Sequence, residues 1–364
     1  MSKVSERFPE FPWDTIAAAK SVAASHDGGI VDLSIGTPVD PTPEVARQGL
    51  IGAANSPGYP TVYGPDSLRQ SAADWLTRRF EITGLTAAQI LPSVGSKELI
   101  ANLPLQLGLG TGDTIGIPEL AYPTYEVGAR LAGCDVIASD STVGFGPITP
   151  KLVFINSPSN PTGRILGIDH LKKMVDWARE RGVLLVSDEC YLEYAWEDTP
   201  YSILHPDVCG GTFEGILTVH SLSKRSNLAG YRAAFVAGDQ AVVDELLAVR
   251  KHLGFMIPTP VQAAMEAVLA DDAHVKIQRK TYAMRRHDLR KALEGAGFTV
   301  EHSEGALYLW ATRGEPCRDT IDWLAARGIL AAPGDFYGAK GAQYVRVAFT
   351  ATDERIAAAV ERLS

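Results

Sequence analysis

Short apolar runs alternate with amphipathic segments through the middle of the chain, and this pattern restricts the fold more than any other feature. The segment 168–181 places Leu171, Met174, Val175 and Ala178 on one helical face, opposite its charged residues. The apolar runs predict buried strands at residues 114–118, 135–139, 151–156, 183–188, 216–221 and 233–237. Strand and helix therefore alternate, which predicts an α/β fold with a mostly parallel sheet and helices on both faces.

The pattern changes from about residue 241 to long helical stretches followed by short strands. Helices are predicted at 239–252, 261–294, 320–327 and from Asp353, and strands at 298–302, 306–311 and 344–349. A chain of 364 residues commonly forms more than one lobe, so this part predicts a smaller α+β domain. We expect an N-terminal segment at 1–40 that contributes to the small domain, a large domain at 41–245 and the small domain at 246–364.

Composition excludes several classes of function. A formal net charge of −9 without a basic tract argues against nucleic-acid binding. The four cysteines show no metal-ligand spacing with the histidines, so we expect no metal site and a reduced, cytoplasmic protein. No segment approaches the roughly 18 apolar residues of a membrane helix, and we expect no membrane partner.

Polar residues follow three of the predicted strands. Lys224 ends the segment Ser-Leu-Ser-Lys that begins at Ser221, and by itself such a lysine is more often a solvated surface residue. Asp188 follows another strand and precedes Tyr191; a buried carboxylate there needs a cationic partner, although it could instead cap a helix. Asn160 lies in a proline-rich turn after a third strand. Loops at the carboxyl ends of strands are where open α/β sheets bind ligands.

In order and spacing these motifs resemble the class I/II aminotransferases of pyridoxal-phosphate (PLP) fold type I, from about residue 32 to residue 346. The resemblance implies a large domain with a mostly parallel seven-stranded sheet and a smaller α+β domain. It also implies that Lys224 holds PLP as a Schiff base and that Asp188 binds the pyridine nitrogen. Tyr191 and Asn160 are implied to donate to the phenolic oxygen of the cofactor.

The phosphate of the cofactor needs its own cradle. A small-residue turn opens a helix at residues 95–97, where free backbone amides favour an anion. The resemblance places Ser96 and Lys97 of the Gly95-Ser96-Lys97 turn there. It adds the guanidinium of Arg232, which could otherwise be a solvated charge, and the hydroxyl of Ser221.

Further roles are implied by the same resemblance. Tyr122 corresponds to the aromatic residue that stacks on the pyridine ring, although core packing is the simpler alternative. Tyr63 corresponds to the tyrosine that reaches the partner subunit's phosphate, so a homodimer is expected. Arg346, between apolar residues, corresponds to the arginine that binds the substrate α-carboxylate, and Gly36 approaches the same group; a structural salt bridge is the alternative for the arginine.

The substrate is implied only by a closer resemblance. The segments 8–14, 95–98 and 220–232 are similar to those of bacterial N-succinyldiaminopimelate aminotransferases of the lysine pathway, with Ala233-Ala234 as a departure from many relatives. Glutamate and 2-oxoglutarate would then be the second substrate pair, in ping-pong kinetics. An aspartate or aromatic aminotransferase, a non-transaminating PLP lyase and a cofactor-binding regulatory domain are the alternatives.

Overall fold

The structure is a computed structural model that describes residues 4–364. Within these residues the strands are β1 (Val31–Asp32), β2 (Ile90–Val94), β3 (Thr114–Ile117), β4 (Asp135–Ala138), β5 (Leu152–Asn156), β6 (Leu184–Asp188), β7 (Ile216–Ser221), β8 (Ala233–Gly238), β9 (Thr299–Glu301), β10 (Tyr308–Thr312), β11 (Ile329–Leu330), β12 (Ala332–Pro333) and β13 (Val345–Ala348). The α-helices of the same residues are α1 (Ala17–Ala24), α2 (Glu44–Gly52), α3 (Asp66–Phe80), α4 (Ser96–Gln106), α5 (Thr124–Ala132), α6 (Ile168–Arg181), α7 (Pro206–Cys209), α8 (Leu222–Arg225), α9 (Gln240–Leu253), α10 (Thr259–Ala270), α11 (Ala273–Gly295), α12 (Cys317–Ala325) and α13 (Asp353–Leu363). Short 3-10 helices occupy Val4–Arg7, Pro12–Ile16, Ala87–Gln89, Thr142–Phe145, Ala229–Tyr231, Gly334–Tyr337 and Ala339–Gly341.

The largest sheet has seven strands in the order β2-β8-β7-β6-β5-β3-β4. Strand β8 runs antiparallel to both of its neighbours, and the other pairings are parallel. Helices cover both faces because the central strands are buried on both sides: Val153 and Ile155 pack with α3, α6 and α10, whereas Phe154 between them packs with α4, α5 and α9. The prediction of an α/β fold with a mostly parallel seven-stranded sheet is confirmed.

A second sheet lies in the C-terminal part of the chain. It has the antiparallel order β12-β13-β10-β9, and a separate parallel pair joins β1 to β11. The pair places the N-terminal segment against the C-terminal part of the chain. In the four-stranded sheet, Arg346 on β13 lies opposite Trp310 on β10.

One predicted helix is wrong in extent. The segment 261–294 forms two helices, α10 and α11, rather than one, and the chain breaks at Asp271 and Asp272. The Asp271 carboxylate accepts the backbone N–H of His274 at 3.0 Å, which satisfies a free donor at the start of α11. Asp272 forms ion pairs with Arg78 at 2.9 Å and with Arg225 at 3.2 Å. The carboxylates of Asp271 and Asp272 therefore both make contacts at the break between α10 and α11.

The loop at residues 162–163 and the loop at residues 303–305 are joined by backbone hydrogen bonds. Ser303 N–H donates to the Thr162 carbonyl at 2.9 Å, and Gly305 N–H donates to the Gly163 carbonyl at 2.7 Å. A Cβ at Gly163 would overlap the backbone of Ser303 and Gly305, so only glycine permits this approach. The turn that carries Asn160 is therefore fixed to the loop that precedes β10.

Two kinds of feature are absent from the described residues. No helix within residues 4–364 is long and apolar enough to cross a membrane. In the same part of the chain, no group of three or more His, Cys, Asp or Glu side chains is placed to hold a metal ion.

Candidate active site

The sequence-predicted residues converge on one cavity of about 270 Å³ at the carboxyl ends of β5, β6 and β7. Its lining includes Gly36, Ser96, Lys97, Tyr122, Asn160, Asp188, Tyr191, Ser221, Lys224, Arg232 and Arg346. Gly95 lies just behind this lining, against the Arg232 side chain. Tyr63 is the exception, because it does not line the cavity of its own chain.

Asp188 is the last residue of β6, and its side chain is buried. One carboxylate oxygen accepts the Tyr125 hydroxyl at 2.9 Å, and the other accepts the Cys190 backbone N–H at 3.1 Å. Burial raises the pKa of this carboxyl group, so a cation in the cavity would stabilise its charged form. The helix-cap alternative is not what the structure shows, since residues 189–205, all described, contain no helix.

Lys224 lies in the short helix α8, directly after β7. Its ammonium group donates to the Gly36 carbonyl inside the cavity, and the Tyr194 hydroxyl holds the Lys224 carbonyl at 3.1 Å. Burial, with smaller effects from Arg346 and Arg232, lowers the pKa of this lysine. It is therefore a partly buried amine that gives up its proton more readily than a solvated surface lysine.

Arg346 is 3% exposed, and this charged residue lines the cavity. It donates to the Asn160 side-chain oxygen and to the Ser34 carbonyl, each at 2.7 Å. Its Nε finds no partner among the described residues. The partners within residues 4–364 are thus an amide and a carbonyl rather than a carboxylate, and the cation is available to bind an anion. Because Asn160 uses its oxygen on Arg346, its amide N–H groups are left as donors.

Gly95 and Arg232 form a cradle with the N-terminus of α4. Gly95 precedes the helix with φ 82°, a conformation that favours glycine, and a Cβ at this position would overlap the Arg232 guanidinium. Arg232 itself has φ 55° and donates to the Ala229 carbonyl at 2.8 Å. The guanidinium and the free N–H groups at the start of α4, where Ser96 is the first residue, are suited to a phosphate.

The two predicted aromatic contacts differ in their placement. Tyr122 lines the cavity and meets Tyr125 edge to face at 5.8 Å, and burial raises the pKa of Tyr122 to about 12. Tyr63 lies under the Arg69 guanidinium, 3.2 Å from the ring centroid. The role of Tyr63 in a partner subunit stays a prediction.

The residues of the site that were not predicted include three large aromatic side chains. Tyr125, in the first turn of α5, donates its hydroxyl to Asp188, and its ring contacts that of Tyr122 edge to face. Tyr308 and Trp13 line the cavity. No motif marks Tyr308, whose alternation with Trp310 indicates only that both face the same side of a strand.

The chain belongs to the class I and II aminotransferases, whose family model matches residues 29–363. It is 61% identical over 361 residues to a probable aminotransferase of Mycobacterium tuberculosis, which covers 99% of this chain and 86% of that protein. It is 57% identical over 356 residues to 4-dedimethylamino-4-oxo-anhydrotetracycline transaminase of Streptomyces rimosus, with 98% and 99% of the two chains covered. LL-diaminopimelate aminotransferase of Dehalococcoides mccartyi is 30% identical over 386 residues, which cover 100% and 98% of the two chains.

Solved structures agree with this assignment. An aminotransferase from Neisseria meningitidis superposes with a TM-score of 0.88 at 28% identity, over 100% of this chain and 98% of the other. A double mutant of Thermus thermophilus aspartate aminotransferase superposes with a TM-score of 0.88 at 25% identity, over 100% and 99%. The protein is therefore a fold type I aminotransferase that depends on PLP and acts on amino and keto acids. The phosphate cradle, the buried Asp188 and the amine of Lys224 fit this cofactor.

Proposed function

We propose that the protein is N-succinyl-LL-2,6-diaminopimelate:2-oxoglutarate aminotransferase, an enzyme of lysine and diaminopimelate biosynthesis that works in the cytoplasm. The observation that carries the proposal of an aminotransferase site is the convergence of Lys224, Asp188 and Arg346 on one cavity. The substrate rests on the resemblance of three segments to N-succinyldiaminopimelate aminotransferases. It is supported by a relative that acts on LL-diaminopimelate, matched along the whole chain.

The residues that bind the cofactor are assigned from their places in the cavity. Ser96, Lys97, Ser221 and Arg232 would hold the phosphate, with Gly95 leaving room for the guanidinium. Asn160 and Tyr191 would donate to the phenolic oxygen, and Tyr122 would stack on the ring. Tyr63 of a second copy would complete the phosphate site in a homodimer.

The chemistry needs a proton to leave the substrate Cα and return elsewhere. PLP, when bound, supplies a ring that accepts the electron pair released at Cα. Asp188 would keep the ring nitrogen protonated, because a buried carboxylate is stabilised by a cation at hydrogen-bond distance. Lys224, whose pKa is lowered by burial, would take the Cα proton as a general base and deliver it as an acid.

Arg346 orients the substrate in this scheme. Its guanidinium has five N–H groups, and contacts to Asn160 and Ser34 leave several of them for the α-carboxylate, including the unpartnered Nε. Gly36 lies where a side chain would overlap Tyr308, so it keeps this part of the cavity open. The amino acid is thereby held with Cα towards Lys224.

A panel of keto acids tests the substrate. With glutamate as donor, we expect far greater turnover with N-succinyl-2-amino-6-oxopimelate than with oxaloacetate or phenylpyruvate. The reverse preference would replace the proposed substrate with an aspartate or aromatic one. The purified protein should be yellow, and borohydride should fix the cofactor to Lys224; attachment at another residue, or the same labelling in Lys224→Ala, would contradict the site.

A second candidate is amination of a ketone on a fused-ring molecule. It is favoured by 57% identity along nearly the whole of a tetracycline-pathway transaminase, and by the aromatic lining of the cavity by Trp13, Tyr122 and Tyr308. An anhydrotetracycline 4-ketone added to the same panel tests this candidate. Turnover of that ketone above turnover of the succinylated keto acid would favour it.

A further inference from the structure

Tyr308 is a buried cavity residue to which neither the sequence motifs nor the assigned chemistry gives a role. It begins β10 and is 2% exposed, and it lines the same cavity as Lys224 and Arg346. Its hydroxyl oxygen lies 2.6 Å from the Tyr191 hydroxyl oxygen. The centroids of the two rings are 5.6 Å apart, and the ring planes form an angle of 70°. The two phenols therefore form a buried hydrogen-bonded pair.

The ring of Tyr308 is fixed on two further sides. The Arg346 guanidinium carbon lies 4.0 Å from its centroid, a cation–π contact. Gly36 approaches so closely that a Cβ there would overlap the ring. With the ring packed against Arg346 and Gly36, the Tyr308 hydroxyl oxygen is kept at hydrogen-bond distance from the Tyr191 hydroxyl.

A pair of phenols has a direction, because each hydroxyl carries one proton. If Tyr191 donated to Tyr308, it would have no proton for a group in the cavity. If Tyr308 donates, the Tyr191 proton is free to point into the cavity. Hydrogen bonds in such a chain polarise one another, so Tyr191 also becomes a stronger donor when its oxygen accepts one.

The position of Arg346 favours donation by Tyr308, because its guanidinium lies over the Tyr308 ring and a neighbouring cation makes a phenol more acidic. Burial opposes ionisation of Tyr308, but Arg346, Lys224 and the hydrogen bond with Tyr191 together outweigh burial and lower the pKa of this phenol. Burial and the neighbouring Tyr308 raise the pKa of Tyr191 well above its ordinary value. The more acidic phenol is the better donor, and the less acidic one is the better acceptor.

We propose that Tyr308 is a positioning residue for transamination: it donates its hydroxyl proton to the Tyr191 oxygen and so directs the Tyr191 proton to the phenolic oxygen of the cofactor. The inference rests on the proposed role of Tyr191 and is independent of which keto acid the enzyme uses. A donor at the phenolic oxygen stabilises its anionic form. Loss of Tyr308 therefore weakens that donor without removing it.

The test is a double-mutant cycle on the holoenzyme with Tyr308→Phe, Tyr191→Phe and the double variant. Phenylalanine keeps the ring packed against Arg346 and Gly36 and removes only the hydroxyl. The first readout is the pH midpoint of the visible absorbance of the bound cofactor. The second is kcat and KM for the half-reaction with glutamate. Tyr282→Phe is the matched control, because its buried hydroxyl has no partner among the described residues.

Tyr308→Phe should raise the absorbance midpoint by roughly 0.5 to 1 pH unit and lower kcat about tenfold, with KM changed less than about twofold. In the Tyr191→Phe background the same substitution should move the midpoint by less than about 0.3 pH unit and change kcat less than about twofold. The control should match the wild type. Equal effects of Tyr308→Phe in both backgrounds, or an unchanged midpoint, would overturn the positioning role while the yellow wild type still supports the cofactor site. A colourless wild-type protein would overturn both.

Discussion

Replacement of Arg346 by alanine tests whether this guanidinium binds the substrate α-carboxylate. In the structure the guanidinium is buried, has two neutral partners and retains an unpartnered Nε. A carboxylate bound by two parallel charged hydrogen bonds gains about 1.5 to 3 kcal/mol from each. Arg346→Ala should therefore lose about 3 to 6 kcal/mol of transition-state binding, which is roughly a 10²- to 10⁴-fold fall in kcat/KM for every amino acid substrate.

The assay compares the wild type with Arg346→Ala and Arg346→Lys. Stopped-flow absorbance of the glutamate half-reaction gives kcat/KM, and the spectrum of the resting enzyme reports the cofactor. The lysine variant keeps the charge but loses the planar fork, so we expect an intermediate value. Arg250→Ala, which removes a fully buried arginine that does not line the cavity, controls for loss of stability.

A thermal melt of each variant shows whether the fold is retained under the assay conditions. The reasoning is refuted if Arg346→Ala keeps kcat/KM within about threefold of the wild type. It is also refuted if the Arg250 control falls as far while its cofactor spectrum is normal. In either case the arginine would serve packing rather than substrate binding.

Two further predictions follow from the cradle and from a buried carboxyl group. Gly95→Ala should raise the Kd of PLP for the apoprotein at least about tenfold in an absorbance titration, because its Cβ displaces Arg232, whereas Gly84→Ala, at a similar φ of 81° with nothing within 4 Å, should not. Burial raises the pKa of Glu189 from 4.5 to about 7, so this group stabilises the fold below about pH 4.5 and loses that contribution as pH rises through 7. Glu189→Gln should thus gain up to about 3 kcal/mol over the wild type between pH 4.5 and pH 8 in urea unfolding. Glu193→Gln should lose stability at pH 8, because Arg79 and Arg225 together outweigh burial and lower the pKa of Glu193. A stability difference between Glu189→Gln and the wild type that stays unchanged across this pH range would contradict the first assignment, and a Glu193→Gln variant as stable as the wild type at pH 8 would contradict the second.

The sequence predicted best where one local pattern decides the structure. Helix α6 has the predicted bounds of 168–181, because its apolar face and Gly182, at φ 63°, together define where it ends. Uninterrupted apolar runs likewise identified the strands of the large sheet other than β2, which was not predicted; the central strands β5 and β7 are buried on both faces. The loops after those strands could be assigned to one edge because the strands are parallel.

Prediction failed where residues far apart in sequence decide the structure. The break between α10 and α11 depends on Asp272 and its contact with Arg78, 194 positions away. Tyr125 and Tyr308 belong to the site only through partners 63 and 117 positions away. A single tyrosine carries no signal that distinguishes such a contact from core packing, so its role appears only in three dimensions.

The backbone contacts of Thr162 and Gly163 with Ser303 and Gly305 bear on how new variants of this enzyme should be built. Chimaeras that exchange the C-terminal sheet between homologues would bring a foreign 303–305 loop against the native turn, and a mismatch would leave two main-chain donors without acceptors. Segment exchange should therefore transfer both loops as one unit. Directed evolution of substrate range would equally benefit from libraries that vary the two loops together.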